Sequence, residues 1–335
     1  MVKDSENNAI TPFQVADLPV ELIRSVFSGL LFMIYTLSNR FTSYNHREIL
    51  EFAAFSCSKT ALALTFVSST FRRWTLPILY STVVLRTASD VKSFLHALTS
   101  SYTPNSPLMH PTPLSQNVKH LAIFALGPLQ FIEKIIMCCS NVQSLACGFS
   151  LTSYASIRLK LTTAIIVEVP SQTQIRERHL LGLSCRDSIP FSLLSQDTTH
   201  LHVQISSLQV LLSLLQMHKQ LPILSHLALR IPSTLLATRH SASLFFKSLQ
   251  EYNGNLRTIL VLIIDRSEAF FDEWDVARSM LDAKVVIERA SGSAISQWEN
   301  QSVIGKGSLW ASADAEVERR MRSDGARRER SLIMT

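Results

Sequence analysis

Histidine recurs in one local context along this chain. His120, His200 and His226 each stand directly before a leucine, in Lys119-His120-Leu121, Thr199-His200-Leu201 and Ser225-His226-Leu227, and His202 comes two residues after His200. Imidazoles recurring in this way suit a metal, a pH sensor or a partner contact. Glu268, Asp272, Glu273 and Asp275 supply the residue type of paired acid–base catalysis. Gly305-Lys306-Gly307-Ser308 is the nearest approach to a phosphate-cradling loop. Each has a plainer reading. No cysteine or carboxylate is evident in the histidine segments, so a solvated surface is their simplest account and a partner contact the next. The acidic run has Phe270 and Trp274 at opposing helical positions and reads as the wet face of an amphipathic helix. The glycine loop lacks the earlier glycine of a Walker loop and reads as a surface turn. There is no Gly-x-Ser-x-Gly and no His-Glu-x-x-His. No catalytic residue, metal or cofactor is therefore expected.

Composition narrows the classes further. Glycine is scarce, at nine in the whole chain, which disfavours nucleotide-binding loops that need close backbone approach. Hydrophobic residues reach 47% and charged ones only 17%, which suits a chain buried between its own neighbouring elements. The net charge is +6, but it is not clustered. The most basic-looking run, Asp314 to Arg330, sets six arginines against five acids and reads as a solvated helix with mixed charge pairs. No nucleic acid is expected. The uncharged and strongly apolar stretch Ser25 to Asn39 is too short for a membrane span. Five cysteines, Cys57, Cys138, Cys139, Cys147 and Cys185, form no Cys-x-x-Cys, and the polar start lacks an apolar signal region. Reduced thiols in an intracellular protein, cytoplasmic or nuclear, are expected.

The elements that must position the histidines recur as well. A starting residue, two variable ones, a Leu or Ile, one variable and a further small or apolar residue occur at Val118–Ile123, Val142–Cys147, Arg178–Leu183, Thr198–Val203, Leu224–Leu229, Leu256–Val261 and, weakly, Asp282–Ile287. The starts lie 24, 36, 20, 26, 32 and 26 residues apart. Helical faces fall between them: Leu129, Ile132, Ile135, Ile136 and Cys139; Leu208, Leu211, Leu212 and Leu215; Phe270, Trp274, Ala277 and Leu281. One strand–helix unit cannot bury its apolar face alone, and stacked units can, so the pattern predicts an irregular leucine-rich-repeat-like array. Side chains alternate along a strand. If each leucine points to the core, His120, His200, His202 and His226 point to an open sheet face. Neighbouring strands at 198 and 224 would then bring His200 and His226 within about 5 Å.

The first part of the chain differs. Asp17 is placed to cap a helix from Pro19 to about Phe27. Further helices are expected over Lys59–Val67 and Thr70–Trp74, then a strand near Tyr80–Leu85 and a helix over Ala88–Leu98. Ser100 to Gln116 holds four prolines and is the best candidate boundary.

Leu18-Pro19-Val20-Glu21-Leu22-Ile23 with Val26-Phe27, Ala61 to Ser68, and Phe71-Arg72-Arg73-Trp74 followed by Pro77-Ile78-Leu79-Tyr80 together resemble the F-box, in particular the F-box-like start of a large set of fungal proteins. The later array, with tryptophans at 298 and 310, is similar to the region C-terminal to the F-box in such proteins. The resemblance implies that Leu18, Pro19, Leu22, Ile23, Val26, Leu64, Val67 and Trp74 contact a Skp-type adaptor, which links to a cullin and a RING ligase. The same residues also suit the core of a small helical bundle. A long intervening stretch separates Phe27 from Lys59, a departure from the F-box pattern. Residues 28–50 have no counterpart in it and read as a retained intron or mispredicted exon, since Phe27 joined to Glu51-Phe52-Ala53-Ala54 continues the motif.

The expected architecture is α/β: a polar tail (1–16), an F-box-like module (17–85), a helix and proline-rich linker (86–116), a leucine-rich-repeat-like array (117–290) and a helical tail (291–335). The resemblance implies a non-enzymatic client-recruiting subunit of a cullin–RING ubiquitin ligase, with His200, His202 and His226 as candidate contacts to an unknown protein client. A repeat scaffold that meets no adaptor is the alternative.

Overall fold

A computed structural model describes residues 58–67, 69–100, 113–164, 175–185, 194, 196–216, 221–236, 239–251, 256–264, 282–290, 292–303 and 309–333. The chain divides into two units, 1–80 and 81–335. The division falls after Tyr80, ahead of the proline-rich stretch.

In the first unit, helices α1 (Ser58–Val67) and α2 (Ser69–Leu79) pack on one another. Ala61 and Leu64 are buried, and Trp74, Ile78 and Leu79 close over them. Arg72 donates from Nε to the Thr65 carbonyl at 3.0 Å, satisfying an acceptor in the last turn of α1. α2 runs through Pro77, beyond the expected end at Trp74. The Tyr80 N–H bonds the Leu76 carbonyl at 3.0 Å and completes the final turn.

The second unit is built on one sheet of eight strands, all parallel, in the order of the chain. They are β1 (Thr82–Leu85), β2 (His120–Ile123), β3 (Ser144–Cys147), β4 (Glu177–Leu180), β5 (His200–Gln204), β6 (His226–Pro232), β7 (Thr258–Ile264) and β8 (Val285–Arg289). Strands β2 to β8 overlap the seven recurring segments. β1, expected as the end of the helical module, is instead the first strand of the sheet.

Consecutive parallel strands need a crossover, and helices supply most of them here. They are α3 (Ala88–Ser100), α4 (Leu114–Asn117), α5 (Leu129–Cys138), α6 (Leu151–Ala164), α7 (Leu208–Gln216) and α8 (Arg239–Glu251). A reciprocal cap starts α3, in which the Thr87 and Arg86 N–H groups donate to the Asp90 carboxylate at 2.9 and 3.0 Å. The Asp90 N–H donates in return to Thr87 Oγ1 at 3.2 Å. α3 packs on α5, α5 on α6, and α7 on α8. The buried face of α3 is Val91, Phe94 and Leu98. In α7, Leu214 is buried and Leu212 is exposed, the reverse of the expected face in that turn.

The alternate strand residues Leu121, Ile123, Leu201, Val203, Leu227 and Leu229 are essentially inaccessible to solvent. The register also corrects the third repeat. Leu145 pairs with Arg178, and Arg178 with Leu201, so that repeat starts at buried Ile175 and not at Arg178. The gaps on either side of it become less uneven. Two final helices, α9 (Ala294–Val303) and α10 (Leu309–Ile333), return across the sheet. α9 contacts β1, and α10 contacts β7 and β8. Among the described residues no helix is long and apolar enough to cross a membrane.

Stacking leaves little room where β3 ends. The Gly148 N–H donates to the Ile123 carbonyl at 2.8 Å, and an added Cβ would meet the Phe124 Cα and ring at 2.9 Å. Backbone cannot rotate aside as a side chain can. Gly148→Ala is expected to destabilise the fold by about 1–3 kcal/mol, measured as a shift in the urea midpoint with unchanged slope.

Candidate functional site

Parallel register lines up equivalent residues of successive strands into rows. One row across the face opposite the core leucines reads Thr82, His120, Ser144, Glu177, His200, His226 and Thr258. The next reads Val84, Ala122, Ala146, His179, His202, Ala228, Leu260 and Val286. A third holds Gln204, Arg230, Leu262 and Glu288. The expectation that His120, His200, His202 and His226 share one face is met. His200 and His226 pair directly, and their rings stack with centroids 4.1 Å apart at 11°. His120 lies apart, with the strands of Ser144 and Glu177 between it and His200. No group of three metal-ligating side chains occurs among the described residues.

The expectation of an open face is overturned, because α9 and α10 lie on it. Trp298, 1% exposed, rests on Ala122 and Ala146, whose small side chains admit the indole. Leu309, Trp310, Ala313 and Val317 of α10 pack on Ala228, Leu260, Leu262 and Val286. The segment expected as a tail is therefore part of the second unit's core. The Asp314–Arg330 run is not wholly solvated either: Asp314 and Arg320 turn toward the sheet.

Polar groups order the contact. The Trp310 indole N–H donates to Glu177 Oε1 at 2.8 Å, and His179 Nε2 lies 3.1 Å from the same oxygen. His179 Nδ1 and His202 Nδ1 are 3.1 Å apart, so one must donate and the other accept. The Nε2 of His202 has no hydrogen-bond partner in its buried site. Burial first, then His179 and Arg230, push the His202 pKa well below 6.5, which keeps its imidazole neutral. At Glu177 burial opposes the charge, but His179 and the Trp310 indole outweigh it and hold the carboxyl down to about 2.

A second cluster centres on Asp314. It accepts from Thr258 Oγ1 at 2.5 Å and lies 3.2 Å from His226 Nε2, while Ser225 Oγ sits 2.7 Å from His226 Nδ1. Trp310 meets His200 and His226 edge-on, at 5.2 and 5.7 Å between centroids. Buried Arg230 donates to Gln297 and, at 2.7 Å, to the Gly292 carbonyl. Toward the margin Arg86 pairs with Glu299 and Arg257 with Glu318.

Of the residues expected to meet an adaptor, Leu18, Pro19, Leu22, Ile23 and Val26 lie outside the described residues. So do the segment 28–50, the acidic run 268–275 and Gly305–Ser308. Val67 ends α1. Leu64 is 2% exposed and Trp74 packs on it, the arrangement expected of the core of a small helical bundle. Cys139 and Cys147 are buried and Cys138 is exposed. Burial pushes the Cys139 thiol up to about 12, which suits an inert core residue.

Sequence reading missed Glu177, His179, Arg230 and Asp314. The signal for the first two was present: starting the third repeat at Ile175 puts both in the parity of the other histidines. Comparison of the chain with family models, curated proteins and solved structures finds no match.

The arrangement has a defined acid response. Burial, and then His226, lower the His200 pKa from 6.5 to about 4. Between those values the unfolded chain binds a proton that the folded chain refuses, so stability is present above pH 6.5 and falls toward pH 4. At pH 5 His200 contributes a loss of about 1 kcal/mol after allowing for its partial exposure, and His202 acts in the same direction. Urea titrations at pH 7.5 and 5.0 should show this loss, and His200→Asn should reduce it.

Proposed function

We propose that the chain is a non-catalytic, client-recruiting subunit of a cullin–RING ubiquitin ligase, an F-box-like module followed by a leucine-rich-repeat-like array. The observation that supports this reading is the sheet itself. Eight parallel strands in strict chain order form a stack in which each unit leans on its neighbours, an architecture suited to broad binding surfaces. In the chain it comes after a helical unit whose residues carry the F-box resemblance. Within that unit α1 buries Ala61 and Leu64 yet leaves Leu62 about half exposed, at 49%. An apolar side chain on the outside of a short helix suits a partner surface better than solvent.

A second reading is a repeat scaffold that meets no adaptor. The covered sheet face favours it, because the surface expected to hold a client is already filled.

A purified Skp-type adaptor separates the two. The full chain, and a form lacking residues 28–50, should each retain the adaptor in a pull-down. Leu62→Asp should weaken retention at least tenfold while the circular dichroism spectrum is unchanged. Retention only without 28–50 identifies that piece as foreign to the working protein. No retention by either form leaves the scaffold.

A further inference from the structure

Three segments of this chain set paired arginines shortly before a hydroxyl. They are Arg72-Arg73-Trp74-Thr75, Arg319-Arg320-Met321-Arg322-Ser323 and Arg327-Arg328-Glu329-Arg330-Ser331. Kinases of the basophilic class select such segments, because carboxylates in their substrate groove hold arginines that precede the acceptor. The structure separates the candidates. Thr75 is 0% exposed, so its hydroxyl cannot reach another protein. Met321, Arg322 and Ser323 are all exposed on α10. Ser89 is exposed as well, but Arg86 alone precedes it at that distance, and Arg86 is paired with Glu299.

The arginines before Ser323 are already engaged with acids. Glu316 accepts from Arg319 Nε at 2.7 Å and Nη2 at 2.8 Å, and from Arg320 Nε at 2.7 Å. Arg322 lies 3.5 Å from Glu318. Arg320 also donates from Nη1 to the Val285 carbonyl of β8 at 2.8 Å. Ser323 stands three residues after Arg320 and four after Arg319, the spacing at which side chains of one helix meet. A phosphate on Ser323 would therefore find guanidinium partners within one turn, and its charge would be paired rather than stranded. A kinase takes its acceptor in extended form, so the turn at Ser323 must open. Gly325 lies inside the same helix, and glycine is the poorest helix former apart from proline.

We propose that Ser323 is a phosphorylation site for a basophilic serine/threonine kinase, read through Arg320 three residues before it. Ser323 Oγ, which in the unmodified helix donates to the Arg320 carbonyl at 2.8 Å, attacks the γ-phosphorus of the ATP held by the kinase. An O–P bond forms at Ser323, the bridging P–O bond to ADP breaks, and the hydroxyl proton passes to the general base of the kinase. The site belongs to the ligase subunit and to the scaffold alike and rests on neither reading.

The test is transfer to the folded full chain from magnesium ATP by a purified kinase that selects arginine three residues before its acceptor. Mass spectrometric fragmentation should find a phosphoryl group on Ser323, whether or not Ser331 is modified too. Arg320→Gln should slow transfer to Ser323 at least tenfold. Should Arg320→Gln fail to fold, Arg320→Lys replaces it: lysine keeps the cation beside Glu316 but loses the planar fork, and the same drop is read. Transfer confined to Ser331 overturns the proposal, and so does an unchanged rate at Ser323 in the folded Arg320 variant. No transfer to Ser323 in the full chain overturns it as well, even where a peptide of residues 316–327 is modified, because the helix then withholds the acceptor.

Discussion

Each strand of the sheet carries two rows of side chains that cannot be exchanged, and the parallel register keeps them apart. Leu121, Leu145, Leu201, Leu227 and Ile259 lie in one row, with His120, Ser144, Glu177, His200, His226 and Thr258 one residue away on the other face. A slip of one residue in β2, β4, β5 or β6 would drive a histidine into the leucine core and a leucine into the polar layer. A parallel sheet also buries both of its faces. The connecting helices bury one, and the chain's own last helices bury the other. The small residues Ala122, Ala146 and Ala228 fit this second cover, because larger side chains there would hold Trp298 and α10 away from the sheet.

The second face is polar, and polarity there has a cost. Imidazoles, a carboxylate and a guanidinium lose water under α9 and α10, and apolar residues of similar volume would stabilise the contact at least as well. The hydrogen bonds offset part of that loss only in one arrangement. Glu177 serves both Trp310 and His179, and Asp314 serves both Thr258 and His226. Shift α10 by one residue and every donor loses its acceptor. The polar layer therefore acts on registry, selecting one seating of the helix from the many that apolar packing alone would allow.

Much of the array was legible because burial writes a period into the sequence. Leucine before a variable and then a small or apolar residue marks a strand whether or not the gaps are regular, and six of the seven segments fell in the correct register. The third failed because Arg178 occupies a core-row position, so the motif reappears three residues late, at Leu181. The stacked pair His200 and His226 came from strand alternation alone. The cover did not. Residues 294–333 are charged along much of their length, and local periodicity carries no information about which distant surface a helix will meet. Trp298 and Trp310 were visible as residues but not as anchors. In α1 the apolar positions could not be divided between core and surface without the packing of α2, which buries Leu64 and leaves Leu62 half exposed.

In a stack of repeats each unit touches only its neighbours, and such an array can lose its ends one unit at a time. The C-terminal helices break that rule. Trp310 bonds Glu177 across 133 positions of sequence, Asp314 reaches His226 across 88, and Glu299 meets Arg86 across 213. Those contacts tie β1, β4, β6 and the last helices together, so fraying at either edge must break bonds that also hold the middle. Cooperativity of the whole second unit thus rests on the cover of the histidine face. The helices seated there do more than fill a surface: they set whether the array opens as one body or as a row of separable units.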